Sequence, residues 1–418
     1  MRKSWFHLAM ERICKILFSF AYKCSSRQKQ EYFVRKNGKI GFTNMIGLVL
    51  NFLTKSMQTE LDNFFERVLK KPKRVSKQAF EQARYKLTVD AFRILYHDTA
   101  EFAASAPEAV TFKGYRVLAE DGTTLALEDT YHLRSYYGVV GGEHGYAAAR
   151  ASVMVDVLNR GATLDAQIDK LSVGENKLAM RHFTRLKELN VEKPLLLFDR
   201  NYASAEMFET LSDTAFIFRI KRRFNAQIDR LPLGDFVMDI TIKKKVFHLR
   251  VLKFKLSTGE IETLVTNLPK DIMSSEDLKE LYRLRWGVET AYRTIKSVLQ
   301  IENFSGTSQL IVEQDFFATM FLKNIVAFIK HDSDALVEQN QNPNNIHPQK
   351  TNENLLIGLL KDKLVIALLE TRPRVQARLI NNIVVQAALN KIPIRPDRHF
   401  PRKRKHHKRF HMSGKASL

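Results

Sequence analysis

The sequence predicts an α/β protein: a mixed sheet with flanking helices, a β-rich insertion, and helical N- and C-terminal regions. Apolar residues recur at helical spacing through roughly the first hundred residues. From Val110 onward, short strand-like runs separated by turn residues replace that pattern, and amphipathic helical stretches return near the C-terminal end. With 418 residues, of which 44% are hydrophobic, the chain can bury one large core and one or two smaller domains.

Residues 1–108 are predicted to form a helical N-terminal DNA-binding region. The basic segment Lys70–Arg74 contains Pro72, which ends one helix, and Ser76 is a suitable N-cap for the next. A helix, a basic turn and a second helix suit a helix-turn-helix reader of DNA; the second helix carries Lys77, Arg84 and Lys86. A solvated face of a helical bundle is the alternative, and the sequence favours neither.

Residues 110–213 are predicted to form the first part of a catalytic domain. Their strands and single helix are expected, in order, at Tyr115–Ala119, Ala149–Leu158, Ala162–Ile168, Glu175–Leu189 (the helix) and Leu195–Phe198. Three strands, a helix and a fourth strand are the order of an RNase H-like sheet.

The remaining chain divides into three predicted regions. Residues 214–270 form a β-rich insertion, and residues 271–331 complete the catalytic domain with one long helix that begins after Ser274 and continues past Lys296. Residues 332–418 comprise a linker to about residue 354, helical stretches broken at Pro373, and a basic tail, Arg395–His411. The tail is expected to lack fixed structure until it meets an anion.

The charge balance indicates the class of partner. Lys and Arg total 67 against 45 Asp and Glu, a formal net charge of +22, which favours nucleic acid first and an anionic membrane second. The apolar runs Ile13–Tyr22 and Leu310–Ile329 are too short or too charged to span a bilayer, and no secretory signal is evident. Two cysteines are too few for a disulfide framework. A cytoplasmic protein is therefore expected.

The predicted long helix carries one polar stripe. Its members are spaced 3, 4, 4 and 3 residues apart and are Tyr282, Arg285, Glu289, Arg293 and Lys296. A lone carboxylate among three cations and a phenol suits a site that holds phosphodiester, with Glu289 binding a metal and the cations meeting phosphates. A row of ordinary surface salt bridges is the alternative.

These residues also carry a family resemblance. The pattern Tyr282-x2-Arg285-x3-Glu289-x6-Lys296 resembles the YREK signature of the insertion-sequence-four family of DDE transposases. The segments Leu118–Leu125 and Leu196–Tyr202 resemble the two Asp-bearing strands of that family, and a β-rich insertion precedes the Glu helix, as the family has it. The resemblance covers roughly residues 75–330 and more loosely the helical ends.

The resemblance implies a catalytic triad. Asp121, Asp199 and Glu289 would be both the catalytic residues and the ligands of two Mg²⁺ ions, with Mn²⁺ an expected substitute. Asp121 would bridge the two ions, and Asp199 and Glu289 would each favour one. A freed 3′-hydroxyl in place of water would let one site both cut and join DNA.

The resemblance also implies the partners. The substrate would be double-stranded DNA, namely the terminal inverted repeats of the chain's own insertion sequence and a target, acted on by a homodimer in the DNA-bound complex without a membrane. The expected location is the cytoplasm, in association with the nucleoid. The residues expected to contact DNA are Tyr282, Arg285, Arg293 and Lys296.

Several alternatives stay open at this stage. Glu120, Glu128, Asp129 and Asp156 compete with Asp121, which is preferred because it matches the motif and because strand alternation places Glu120 on the opposite sheet face. A metal-dependent nuclease of the same fold, which cleaves DNA without joining it, is the alternative function. A non-catalytic DNA-binding protein that has kept the scaffold is a third hypothesis.

Overall fold

The computed structural model describes residues 4–35, 38–51, 56–71 and 74–395. The chain divides into two compact units. The helical unit comprises residues 1–103, 125–149 and 293–418, and the sheet unit comprises residues 104–124 and 150–292. The five regions expected from the sequence have other boundaries, and their functional division stays a prediction.

Helices make up most of the helical unit and flank the strands of the sheet unit. In chain order they are α1 (Trp5–Leu17), α2 (Phe20–Ser25), α3 (Phe42–Val49), α4 (Met57–Asn63), α5 (Lys77–Arg84), α6 (Asp90–Ala104), α7 (Tyr131–Tyr137), α8 (Glu175–Glu188), α9 (Ala205–Thr210), α10 (Ala226–Arg230), α11 (Ser275–Leu284), α12 (Trp286–Arg293), α13 (Gln309–Gln339), α14 (Glu353–Leu360), α15 (Lys363–Leu369) and α16 (Pro373–Leu389). Short π-helical turns cover Phe64–Val68 and Thr294–Val298, and a 3₁₀ turn covers Gly142–His144. Among the described residues, no helix is both long and apolar enough to cross a membrane.

The strands confirm the predicted α/β class. They are β1 (Arg116–Ala126), β2 (Val139–Val140), β3 (Tyr146–Asp156), β4 (Ala162–Lys170), β5 (Pro194–Phe198), β6 (Ala215–Arg219), β7 (Gly234–Ile242), β8 (Lys245–Lys255) and β9 (Ile261–Thr266), with a separate pair, β10 (Gln349–Thr351) and β11 (Lys391–Pro393). The first nine form one mixed sheet in the order β2-β3-β1-β5-β6-β9-β8-β7, and β4 pairs with β3. The series β4-β3-β1-β5-β6 is the RNase H-like arrangement that the sequence predicts.

The centre of the sheet is parallel. β1 pairs with β5 and β5 pairs with β6 in the same direction. Leu195–Phe198 are buried without interruption, as expected for a strand that is covered on both faces. β6 lies in the predicted insertion, yet it belongs to this parallel core, and β9, β8 and β7 extend the same sheet in antiparallel fashion.

The helix predicted to run unbroken past Lys296 is divided in the structure. It begins as expected, because Ser274 and Asp277 form a capping box at the start of α11. At Arg285 the backbone tightens, since its N–H bonds to the carbonyl of Tyr282 at 3.1 Å, an i−3 partner, and α12 starts at the next residue. The expectation of one continuous helix is therefore wrong.

Two further expectations about the helical regions are corrected. The linker predicted to begin at Asp332 is wrong at its start, since Asp332 lies inside α13. Its carboxylate accepts hydrogen bonds from the backbone N–H groups of Trp5 and Phe6 at 3.0 and 2.9 Å. Arg84, predicted to face DNA, is only 2% exposed and forms a 2.6 Å ion pair with Asp315. Pro72 and most of the basic tail, from residue 396 onward, lie outside the described residues.

Candidate active site

Strand pairing brings two carboxylates to one level of the sheet unit. Ala119 of β1 lies opposite Leu197 of β5, so Asp121 and Asp199, each two residues further along, reach the same height on adjacent parallel strands. Such strands lie about 4.8 Å apart. Each carboxylate also accepts the N–H of the next residue, at 2.9 Å for Asp121 and 2.7 Å for Asp199. These hydrogen bonds hold each carboxylate against the backbone of the following residue.

Arg285 links the third carboxylate to these two. Its guanidinium is 6% exposed; Nη2 lies 2.8 Å from Oε1 of Glu289, and Nη1 lies 3.9 Å from Oδ2 of Asp121. The charge of Asp199 also acts on this guanidinium. Two of the three predicted catalytic carboxylates, Glu289 and Asp121, therefore lie within 4 Å of one buried guanidinium, and Asp199 lies level with Asp121, although the three are up to 168 residues apart in the sequence (121 to 289).

The environment of Asp121 is partly desolvated. Burial raises the pKa of this carboxyl, Arg285 and the Gly122 N–H lower it, and the charges of Asp199 and Glu175 raise it, so that the pKa is about 6. A carboxyl with that pKa is mostly ionised at neutral pH. It is available as an anionic ligand, at an electrostatic cost that a cation would offset.

The donor chemistry of the three carboxylates fits a hard divalent cation, since such ions prefer oxygen ligands. The present spacing does not close a metal cage: within the part of the chain that the structure describes, no three His, Cys, Asp or Glu side chains are grouped tightly enough to hold an ion. Of the three carboxylates, Glu289 and Asp121 lie beside the cation Arg285, at 2.8 and 3.9 Å. The assignment of these residues as metal ligands stays a prediction.

Three of the four competing carboxylates have structural partners. Glu120 is buried and accepts the Ser152 hydroxyl at 3.0 Å, and burial raises its pKa to about 8. Asp129 forms an ion pair with Arg134. Asp156 is fully buried and forms an ion pair with Arg116. These contacts favour Asp121 as the acid of the first strand.

The four residues predicted to contact DNA differ in exposure. Tyr282 is buried, and among the described residues its hydroxyl has no hydrogen-bond partner; the same holds for Nε of buried Arg285. Buried donors left unsatisfied in this way suit a ligand such as a phosphate. In the helical unit, Arg293 is the exposed last residue of α12, and Lys296 lies 3.3 Å from Glu302.

Comparison with known proteins decides the family. The profile of the family described as Transposase DDE domain matches residues 112–325, just over half of the chain. The chain belongs to the DDE transposases. The family generally uses divalent metal ions and acts on DNA, and the predicted membership of the insertion-sequence-four family and the predicted transposase function are confirmed.

Individual relatives of this transposase are distant. It is 23% identical over 348 residues to Transposase InsG for insertion sequence element IS4 of Escherichia coli (strain K12), which covers 78% of the chain and 76% of the relative. It is 28% identical over 134 residues to the transposase for element IS231C of Bacillus thuringiensis subsp. berliner, which covers 32% of the chain and only 26% of the relative. A 69-residue match, 32% identical, links it to the transposase for element IS421 of Escherichia coli and covers 16% and 18%.

Sequence reasoning missed two residues of the transposase beside the triad. Glu175, the first residue of α8, acts electrostatically on Asp121 and pairs with Arg150 at 3.0 Å. Tyr292 donates its hydroxyl to the backbone carbonyl of Asp121 at 2.6 Å. Nothing in the local sequence signals Glu175, because its position depends on how α8 packs. Tyr292 lies three residues after Glu289, a spacing that was readable as a shared helix face.

Two basic segments of the transposase lie at opposite ends of its sheet. Residues 221–223 (Lys-Arg-Arg) follow β6, which is parallel to β5, so they leave the sheet at the end where Asp199 lies. Lys243 and Lys244 form the tight turn between β7 and β8, and β8 runs parallel to β6 because both are antiparallel to β9. That turn is consequently at the opposite end. All five side chains are exposed.

Proposed function

We propose that this transposase cleaves the terminal inverted repeats of its own insertion sequence and joins the freed ends to target DNA. Asp121, Asp199 and Glu289 would hold two Mg²⁺ ions, which Mn²⁺ would replace. The observation that carries the proposal is the position of Glu289 and Asp121 beside Arg285, with Asp199 level with Asp121 on the neighbouring chain segment. The printed names of the IS4 and IS231C relatives, each a transposase for an insertion sequence, support the same activity.

The residues have separate tasks in this proposal. When bound, two divalent cations supply an activated nucleophile and stabilise the leaving oxygen of the phosphodiester. The side chains of Asp121 and Asp199 extend from neighbouring strands, and Glu289 extends from α12, so rigid elements present all three ligands. The phosphates beside the reacting bond would be bound by Tyr282, Arg285, Arg293 and Lys296.

The assembly follows from the reaction. Joining two ends of one element to a target requires both ends in one complex, which a homodimer on double-stranded DNA provides. The formal charge of +22 favours such a DNA partner. We place this activity in the cytoplasm, on the DNA of the nucleoid.

A strand-transfer assay tests the proposal. Labelled element ends, target DNA and Mg²⁺ are incubated with the wild type and with Asp121→Asn, Asp199→Asn and Glu289→Gln. Each substitution should lower the joining rate by about three orders of magnitude or more, because a missing ligand removes the stabilisation of the reacting phosphate. Asp213→Asn, which changes an exposed carboxylate of the sheet unit, is the matched control and should keep the wild-type rate.

The products separate the competing functions. Joined DNA from the wild type supports the proposal, and nicked DNA without joining would identify a nuclease instead. DNA retained without any cleavage would leave only a binding protein. Full joining by a variant lacking all three carboxylates would refute the catalytic assignment.

A further inference from the structure

Tyr292 connects the two elements that carry Asp121 and Glu289. It lies on α12 three residues after Glu289, so the two side chains are neighbours on the helix. Its hydroxyl donates a hydrogen bond of 2.6 Å to the backbone carbonyl of Asp121. The contact joins the helix to the strand at the residue that bears the carboxylate, and Tyr292 is not part of the four-residue signature.

A second hydroxyl also lies within hydrogen-bond distance of this carbonyl, but it has another acceptor as well. Oγ of Ser152, on the neighbouring strand β3, lies 3.1 Å from the carbonyl of Asp121 and 3.0 Å from Oε1 of Glu120. A serine hydroxyl has one hydrogen, so it donates fully to only one of these acceptors at a time. The short contact from Tyr292 is therefore the more strongly committed bond to this carbonyl.

The bond fixes a distance that matters for cation binding. Two carboxylates on separate elements bind one ion or an ion pair only when their spacing is held to within about 0.5 Å. Between β1 and α12, Arg285 attracts both Asp121 and Glu289 by charge, at 3.9 and 2.8 Å. A guanidinium that moves to a phosphate no longer holds them, whereas the bond from Tyr292 to the backbone carbonyl is unaffected by that exchange.

We propose that Tyr292 is a positioning residue, which holds α12 against β1 and so limits how far Glu289 and Asp121 can separate when a divalent cation binds. It touches neither the cation nor the DNA in this role. The proposal rests on the proposed function, in which those two carboxylates are metal ligands.

Tyr292→Phe is the direct test, because it keeps the ring and removes only the hydroxyl. Mn²⁺ binding to the full chain, measured by electron paramagnetic resonance of the free ion, should weaken by about tenfold or more, as is typical when the partner of a metal ligand is removed. The Mg²⁺ concentration for half-maximal cleavage should rise by a similar factor. Affinity for element-end DNA in EDTA should stay as in the wild type, since a positioning role does not include DNA contact.

Two variants serve as comparisons. Thr266→Val removes another buried hydroxyl of the sheet unit, one that donates to the carbonyl of Phe216 at 2.5 Å, so it reproduces the loss of a hydroxyl-to-carbonyl bond without altering β1 or α12. It should leave Mn²⁺ affinity unchanged. Ser152→Ala should weaken Mn²⁺ binding less than Tyr292→Phe, because its hydrogen is shared. Thermal melting of each variant shows how much of any effect comes from stability.

The outcomes are decisive in either direction. Wild-type Mn²⁺ affinity in Tyr292→Phe overturns the positioning role, and so does an equal loss in Thr266→Val at equal melting temperature. A larger loss in Ser152→Ala than in Tyr292→Phe assigns the carbonyl to the serine and also overturns it. Asp121→Asn identifies a failure of the proposed function itself: if that variant binds Mn²⁺ as the wild type does, the ligand assignment is wrong irrespective of Tyr292.

Discussion

Substitution of Asp156 distinguishes a carboxylate that stabilises the fold from one that takes part in catalysis. Asp156 lies on β3, is 0% exposed, and accepts hydrogen bonds from Nε of Arg116 at 2.9 Å and Nη2 at 2.5 Å. The side chain of Asn159 donates to both carboxylate oxygens at 2.9 Å, and the backbone N–H groups of Leu158 and Asn159 donate at 3.2 and 3.1 Å. Both oxygens of this carboxylate thus accept hydrogen bonds from neighbouring groups of the protein.

Asp156→Ala should consequently act on stability. It leaves the Arg116 guanidinium, whose side chain is 8% exposed, without this carboxylate, and breaking a buried pair in that way costs about 3–5 kcal/mol. Domains are typically stable by about 5–15 kcal/mol, so the loss is a large fraction of the total free energy of unfolding. Urea denaturation followed by circular dichroism should show a clearly lower midpoint with an unchanged slope.

A double variant distinguishes stability from chemistry. Arg116→Met with Asp156→Leu replaces the buried pair by apolar side chains, which is often neutral or stabilising, so both the denaturation midpoint and the joining rate should return toward wild type. Asp121→Asn should show the opposite behaviour, with a near-normal midpoint and no joining. A double variant that is stable but inactive would refute this reasoning and would move the catalytic assignment to Asp156.

Two other predictions concern the sheet unit. Burial would raise the pKa of Asp235, but its contacts with Arg250, Ser275 and Lys270 outweigh that effect and lower the pKa from 3.8 to about 2. The ionised carboxylate therefore stabilises the fold above about pH 4, and this contribution is lost as the pH falls toward 2. Asp235→Asn should cost about 2 kcal/mol of unfolding free energy at pH 7, at 1.36 kcal/mol per pH unit, and almost nothing at pH 2; a pH-independent cost would contradict this. Gln substitution of residues 221–223 should weaken binding of element-end DNA and reduce the slope of log affinity against log salt by up to about 3. The control, Lys243→Gln with Lys244→Gln, lies at the other end of the sheet and should change neither the affinity nor the slope. Equal effects from the two sets would refute the placement of DNA at the Asp199 end.

Local sequence patterns predicted the sheet well, because its strands are short, apolar and bounded by turn residues. The strand predicted at Ala162–Ile168 is β4 (Ala162–Lys170), and the one predicted at Leu195–Phe198 is β5 (Pro194–Phe198). A turn with Arg160 and Gly161 at positive φ separates β3 from β4. The helix start after Ser274 was readable for the same reason, since capping depends on neighbours three residues away.

Long-range contacts account for what local patterns did not show. The polar residues from Asp332 onward suggested a linker, yet Asp332 is satisfied by backbone groups 326 and 327 residues earlier, and Asp334 accepts the N–H of Thr351 at 2.7 Å. Arg84 likewise looks like a surface cation in the sequence, whereas in the structure it pairs with Asp315, 231 residues away. Partners at such separations leave no periodic signal in either segment.

The sequence motif proposes residues for the candidate site but does not show their electrostatics. The motif pointed to Glu289 and its cations as a phosphate-binding stripe, and Arg285 was expected to face DNA. In the structure Arg285 is buried, pairs with Glu289 at 2.8 Å and lies at the break between α11 and α12. That break is a feature of backbone geometry which a regular 3.6-residue period does not reveal.

The charge at this site explains why cations and DNA are coupled. Three carboxylates, Asp121, Asp199 and Glu289, act electrostatically on the Arg285 guanidinium, so they outnumber that cation even on a chain with a formal charge of +22. A phosphodiester is repelled from such a group unless divalent cations reverse its sign. Basic residues elsewhere can still hold DNA in EDTA, since long-range attraction depends on the surrounding positive charge. In the proposed mechanism, cation binding at these carboxylates would therefore decide whether bound DNA is seated for reaction, in addition to supplying the chemistry.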